Sequence, residues 1–153
     1  MRLTILLIIS VLFSGAATGS PINRAEVSSY FGNLLEKFNN EDVSGYEDTF
    51  LIPHARHLGN MVTFIDDGMA PLVDFPKLKE SGWDQSVMRS FDLLYSSSSK
   101  AFVNVHWTRL SAQKDVIQNF TAFYALLKTE DGLKIAYISS TSAPLSIGVK
   151  KKS

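Results

Sequence analysis

Residues Phe120 to Leu127 constrain this chain more than any other stretch. Side chains alternate across a strand, so Phe120, Ala122, Tyr124 and Leu126 share one face. Thr121, Phe123, Ala125 and Leu127 share the other. Both faces are largely apolar, whereas an antiparallel strand with one wet face alternates apolar with polar. Such a strand needs cover on both sides. Helices of the same chain can cover one side, and a second copy of the sheet can cover the other. The pattern therefore predicts a homodimer.

The rest of the chain supplies the helices first and the strands afterwards. Asn23 is placed to cap a helix starting at Arg24. Val27, Tyr30, Phe31, Leu34, Leu35 and Phe38 then recur at the spacing of one helical face, ending at Asn39-Asn40. Asp42 or Ser44 opens a short second helix carrying Tyr46 and Phe50, with Pro53 as its stop. Ala55 to Leu58 and Met61 to Ile65 read as short strands around Gly59-Asn60, and Asp66-Asp67-Gly68 as a turn. A third helix is expected over Ala70 to Glu80, with Pro71 in its first turn and Pro76 an awkward interior residue. Four strands follow: Gln85 to Tyr95, Ala101 to Leu110, Val116 to Lys128, and Leu133 to Thr141 after the Glu130-Asp131-Gly132 hairpin. Helices followed by a run of antiparallel strands make an α+β fold.

The ends of the chain carry different signals. Met1-Arg2, the apolar run Leu3 to Phe13 and the small residues Ser14 to Gly19 have the layout of a secretory leader, with Ala17-x-Gly19 the preferred cut and Ala16 or Ala17 its rivals. Eleven residues are too few to span a bilayer, which takes about 20. The reading is an exported protein, periplasmic or secreted, with no transmembrane anchor after cleavage. It divides the chain into a leader (1–19), a domain (20–145) and a basic tail (146–153) carrying Lys150, Lys151 and Lys152. Fifteen basic and fifteen acidic residues cancel over the whole chain. Setting aside the leader and the three tail lysines leaves eleven basic against fifteen acidic residues. An acidic body offers no field to attract nucleic acid. The absence of cysteine excludes disulfides, thiolate chemistry and Cys-held zinc, and no motif calls for a metal or cofactor.

The order of elements resembles the nuclear transport factor 2-like superfamily, in its SnoaL-like branch. The resemblance is carried by residues Tyr30 to Asp42, by Tyr46 to Pro53, and by Val103-Asn104-Val105-His106-Trp107-Thr108-Arg109-Leu110. Phe120 to Leu126 and Asp131 to Ile135 complete it. It implies a cone, in which a strongly curved antiparallel sheet packs on two or three N-terminal helices around a mostly apolar pocket. Members include isomerases, cyclases, dehydratases and pure binding proteins, so the fold does not name the function. Ketosteroid isomerases of this family use a carboxylate base, a helical Tyr and a late-strand acid. Those slots fall near Arg56-His57, Leu34 and Tyr124 here, so only one donor survives and that chemistry is not implied.

His54-Ala55-Arg56-His57 is the densest cluster of reactive side chains. On a strand His54 and Arg56 share a face and His57 points away, so the two histidines would not chelate one metal. An imidazole is a side chain suited to general-base work near neutral pH, and Tyr124 is the preferred donor. The candidate catalytic groups are thus His54, His57 and Tyr124. Candidate pocket residues are Tyr30, Leu34, Arg56, Trp83, Phe91, Trp107, Arg109 and Tyr124, with Arg56 and Arg109 as anion anchors. His106, opposite Trp107, belongs to the outer face. The function expected first is binding of a small apolar organic molecule. The alternatives are a SnoaL-like isomerase, cyclase or dehydratase with a His base and Tyr donor, and a dimeric protein-interaction module.

Overall fold

The computed structural model describes residues 19–66 and 71–141. Residues 1–18 of the leader, the Asp67-Gly68 part of the expected turn, Ala70 of the expected third helix and the lysine tail lie outside the described residues. Helix α1 (Arg24–Asn39) starts where its capping chemistry dictates. The Asn23 side chain accepts from the Ala25 and Glu26 N–H groups at 2.9 and 3.0 Å, and Glu26 reaches back to the Asn23 N–H at 2.8 Å. Its expected apolar face is the buried one, led by Val27, Tyr30, Phe31 and Leu34. Helix α2 (Val43–Glu47) is capped by Asp42.

Strands β1 (Phe50–Leu58), β2 (Met61–Ile65), β3 (Gln85–Ser96), β4 (Lys100–Leu110), β5 (Val116–Thr129) and β6 (Gly132–Ser140) form one sheet in the order β2-β1-β6-β5-β4-β3. Helix α3 (Phe75–Glu80) lies between β2 and β3 in the chain. The architecture is the expected α+β cone, a curved and unclosed sheet closed over by the N-terminal helices. Among the described residues no helix is long and apolar enough to cross a membrane.

Three local expectations are corrected. Phe50 belongs to β1 rather than to the second helix, because that helix ends at Glu47 and the chain is extended from Phe50 on. The Thr49 carbonyl explains the change. It accepts from the Tyr30 hydroxyl at 2.8 Å and from the Ile135 N–H at 2.9 Å, which ties the start of β1 to both α1 and β6. Pro53 stands inside β1, where the register against β6 shifts between Phe50 and Ala55. Proline lacks the N–H a regular ladder needs and is tolerated at such an irregularity. Second, α3 is shorter than Ala70 to Glu80. Asp74 caps it, so Pro76 falls in the first turn, where a missing N–H costs nothing. Third, the sheet is not wholly antiparallel, since β1 and β6 run parallel.

The core lies between α1 and the inner face of the sheet. Ala101, Val103, Val105 and Trp107 of β4 meet Ala122, Tyr124 and Leu126 of β5, under Phe31 and Leu34. A second cluster joins Phe75 and Leu78 of α3 to Val73 and Trp83, with Phe38 packed against it.

Candidate functional site

A cavity remains where the two clusters fail to close on each other. Leu34, Leu35 and Phe38 of α1 form one wall, Tyr46 of α2 and Arg56 and Leu58 of β1 a second. Leu72 and Val73 cover it, and Trp107, Arg109, Phe120, Ala122, Tyr124 and Ile138 give the inner sheet wall, with Ser86 and Ser140 at its edges. It offers ≈ 80 Å³ to the centres of water molecules.

Arg56 is the most constrained polar group here. It is 3 % exposed. Its Nε donates to His54 Nε2 at 3.0 Å, its Nη1 donates to the Leu72 carbonyl at 3.1 Å, and the Phe50 ring centre lies 4.7 Å from its guanidinium carbon. Nη2 has no hydrogen-bond partner among the described residues. Since His54 Nε2 accepts, its Nδ1 carries the proton and donates to the Leu51 carbonyl at 2.7 Å. Burial, and then the charge of Arg56, pull the His54 pKa down to about 4 against the opposing Leu51 bond. His54 is therefore a neutral imidazole holding Arg56 in place.

On the sheet wall, Trp107 Nε1 donates to Tyr124 Oη at 3.1 Å, and the Phe31 ring packs edge-on against both, its centre 4.9 Å from that of Tyr124. Burial raises the phenol pKa values of Tyr30, Tyr46 and Tyr124, so all three remain protonated. Tyr30 spends its proton on Thr49, as described above, whereas the Tyr124 oxygen accepts from Trp107. Arg109 reaches the same cavity beside the Phe120 ring, at 5.2 Å, and burial lowers the pKa of both arginines.

The structure brings Leu34, Arg56, Trp107, Arg109 and Tyr124 together on one cavity. It places the other three candidates elsewhere. Tyr30 and Phe91 are packed in the main core, and Phe91 carries the Arg24 guanidinium at 4.2 Å. Trp83 packs in the α3 cluster and donates from Nε1 to Ser86 Oγ at 3.0 Å. His57 lies on the opposite face of β1 from His54, its Nδ1 3.4 Å from Ser139 Oγ. His106 is likewise on the outer face, between Thr121 and Asp92. Sequence reasoning missed Tyr46, Leu58, Leu72 and Ile138 as lining residues. Tyr46 and Leu72 are placed only by the tertiary approach of α2 and of the segment before α3, whereas Leu58 shares the Arg56 face of β1 and was open to the same alternation. Among the described residues, no group of three or more His, Asp or Glu side chains is arranged to hold a metal ion.

A family model described as NTF2-like protein (DUF6841) matches residues 25–143. Solved structures share the fold at low identity. ActVI-ORFA from Streptomyces coelicolor is 17 % identical at a TM-score of 0.58, over 76 % of this chain and 94 % of that one. Aln2 from another Streptomyces is 13 % identical at 0.59, over 77 % and 89 %. An NTF-2 like protein of unknown function from Shewanella oneidensis is 13 % identical at 0.54, over 76 % and 96 %. No functionally curated protein matches the chain by sequence.

Proposed function

Because this chain belongs to the NTF2-like family DUF6841, we propose that it is an exported domain whose cavity binds a small organic molecule. The observation that carries the binding reading is the cavity itself, kept open between α1 and the inner sheet and lined by apolar and aromatic side chains. Its lining among the described residues contains no Asp, Glu or His. A SnoaL-like reaction would need a base facing Tyr124. His54 is engaged by Arg56 and His57 is on the other side of the sheet, so binding is favoured over turnover. Native mass spectrometry of the protein against a mixed metabolite library tests this. A retained ligand displaced by filling the cavity (Ala122→Phe) supports binding, and a library with no retained member overturns it. Export rests on residues 1–19, and a mature N-terminus near Ser20 in the exported fraction is the expected result.

A second reading, self-association through the outer sheet face, is favoured by a specific row of residues. The strand registers align Phe64, Ala55, Tyr137, Ala125, Phe102 and Tyr95 across all six strands. Phe123 adds to the row, giving ring centres at 5.4 Å (Tyr95–Phe102), 5.9 Å (Phe102–Phe123) and 6.2 Å (Phe123–Tyr137). Phe64 is 75 % exposed. A continuous apolar row of this kind marks an association surface. Sedimentation equilibrium should show a dimer that Phe102→Glu converts to a folded monomer, and a monomer at every concentration would remove the reading.

A further inference from the structure

The cavity has a sign as well as a shape. A guanidinium carries five donors and cannot give up its proton in a protein, and removing it from water is unfavourable unless an anion meets it. The partners of Arg56 are all neutral: an imidazole nitrogen, a carbonyl and an aromatic ring. Nη2 is left over in a side chain that is almost wholly buried. Glu47 is the carboxylate whose field reaches Arg56, and its Oε1 accepts from the Leu72 N–H at 2.8 Å. Arg109 adds a second buried cation to the same lining, and none of the described lining residues is acidic. Tyr124 adds a phenol to the same wall. The site thus presents positive charge and donors to whatever enters.

We propose that the ligand of this cavity is a small organic monoanion, a carboxylate with a compact apolar body, whose carboxylate is taken by Arg56. The proposal rests on the binding reading above and names its ligand class. Arg56 suits a carboxylate because its planar fork meets two oxygens at once. The apolar body lies against Leu34, Trp107 and Phe120. The cavity is small, ≈ 80 Å³ for the centres of water molecules, and suits a compact body such as a single ring or a short chain.

The test titrates the protein with benzoate, phenylacetate and hexanoate, each paired with its primary amide, by isothermal calorimetry. At least one acid should bind about 30-fold tighter than its amide, the discrimination a charge-assisted contact gives. Arg56→Met should abolish that preference, bringing acid and amide to within about threefold of each other. Should Arg56→Met fail to fold, the carboxyl carbon of the bound labelled acid is titrated by NMR in the unaltered protein. Its pKa should lie at least about one unit below the free value. Amides binding as tightly as acids, or a bound acid with an unshifted or raised pKa, would overturn the anion proposal and leave the binding reading standing. Failure of every acid and every amide would overturn both.

Discussion

The two faces of β5 are built from similar residues and meet different surroundings. On the inner face Ala122, Tyr124 and Leu126 are buried, covered by Phe31 and Leu34 of α1. On the outer face Thr121, Phe123 and Ala125 are half-buried, touched mainly by neighbours in their own sheet. Apolar character therefore does not by itself decide which face becomes the core. The deciding factor is the partner element, and α1 is amphipathic at the period that matches the inner face. The polar groups differ in the same sense. The inner face holds two arginines away from water, whereas the outer face leaves Asp92 and His106 in it.

The largest effect should come from removing the inner cover. Phe31 is fully buried and packs against the rings of Tyr30, Trp107 and Tyr124. Phe31→Ala should cost about 4 kcal/mol, the loss of a buried ring plus its cavity. Phe102→Ala on the outer row, at dilutions where the chain is monomeric, should cost only about 1 kcal/mol. Urea midpoints with unchanged slopes measure both. Equal losses would break the distinction between the faces and mean that the outer row is already covered.

Acid should also act on the inner face. The His54 pKa is lowered from an ordinary 6.5 to about 4 in the folded protein. Between those values the unfolded chain binds more protons than the folded one, so stability rises with pH in that window. The contribution is complete above pH 6.5 and is lost as pH falls toward 4. It should amount to about 2 kcal/mol, allowing for solvent relaxation around the ring. His54→Gln keeps an acceptor for Arg56 Nε and removes the titration. Urea midpoints between pH 4 and 7 should therefore fall less steeply for His54→Gln than for the parent.

The join between α1 and the inner sheet gives an intermediate case. The Asn39 side chain donates to the Ser86 carbonyl at 2.9 Å and accepts from its N–H at 2.8 Å, standing in for a neighbouring strand at the start of β3. Asn39→Ala would leave both backbone groups unpaired and should cost about 2 kcal/mol in thermal or urea unfolding. Hydrogen exchange at the Ser86 N–H should accelerate well beyond that of Val105 in the sheet centre.

These contrasts also show what sequence alone could reveal. The face of α1, its Asn23 cap and the inward set Val103, Val105 and Trp107 were readable, because each follows a local period or a local hydrogen bond. The inner–outer split of His54 and Arg56 against His57 was readable for the same reason. The start of β1 was not, because the Tyr46 and Phe50 spacing also fits a helix and the long-range tie through Thr49 decides against it. The α3 boundary misled because Pro71 and Pro76 both suit a first turn, and the Asp74 side chain selects the second by accepting from the Lys77 N–H at 3.0 Å. Of the candidate site, the strand residues could be assigned by alternation. Trp83 and Phe91 could not, because an aromatic side chain carries no mark that separates a pocket wall from a core.

The smallest effect belongs to the outer face, and its size depends on whether that face is covered. Asp92 Oδ2 lies 3.2 Å from His106 Nε2, and the other ring nitrogen lies 2.9 Å from Thr121 Oγ1. The two side chains are 63 % and 42 % exposed, so water screens the pair. In the monomer Asp92→Asn should cost no more than about 0.5 kcal/mol, and less in high salt. Asp92 shares a cross-strand row with Asn104, Phe123, Ser139, His57 and Val62, directly beside the apolar row. A second sheet docked there would take the pair out of water, and losing one partner of a desolvated pair is then far more costly than losing an exposed one. The same substitution measured by urea unfolding at low and high protein concentration separates the cases. A cost that stays near zero at both means the outer face remains wet, while a cost that grows with concentration places His106 and Asp92 at the rim of a self-association surface.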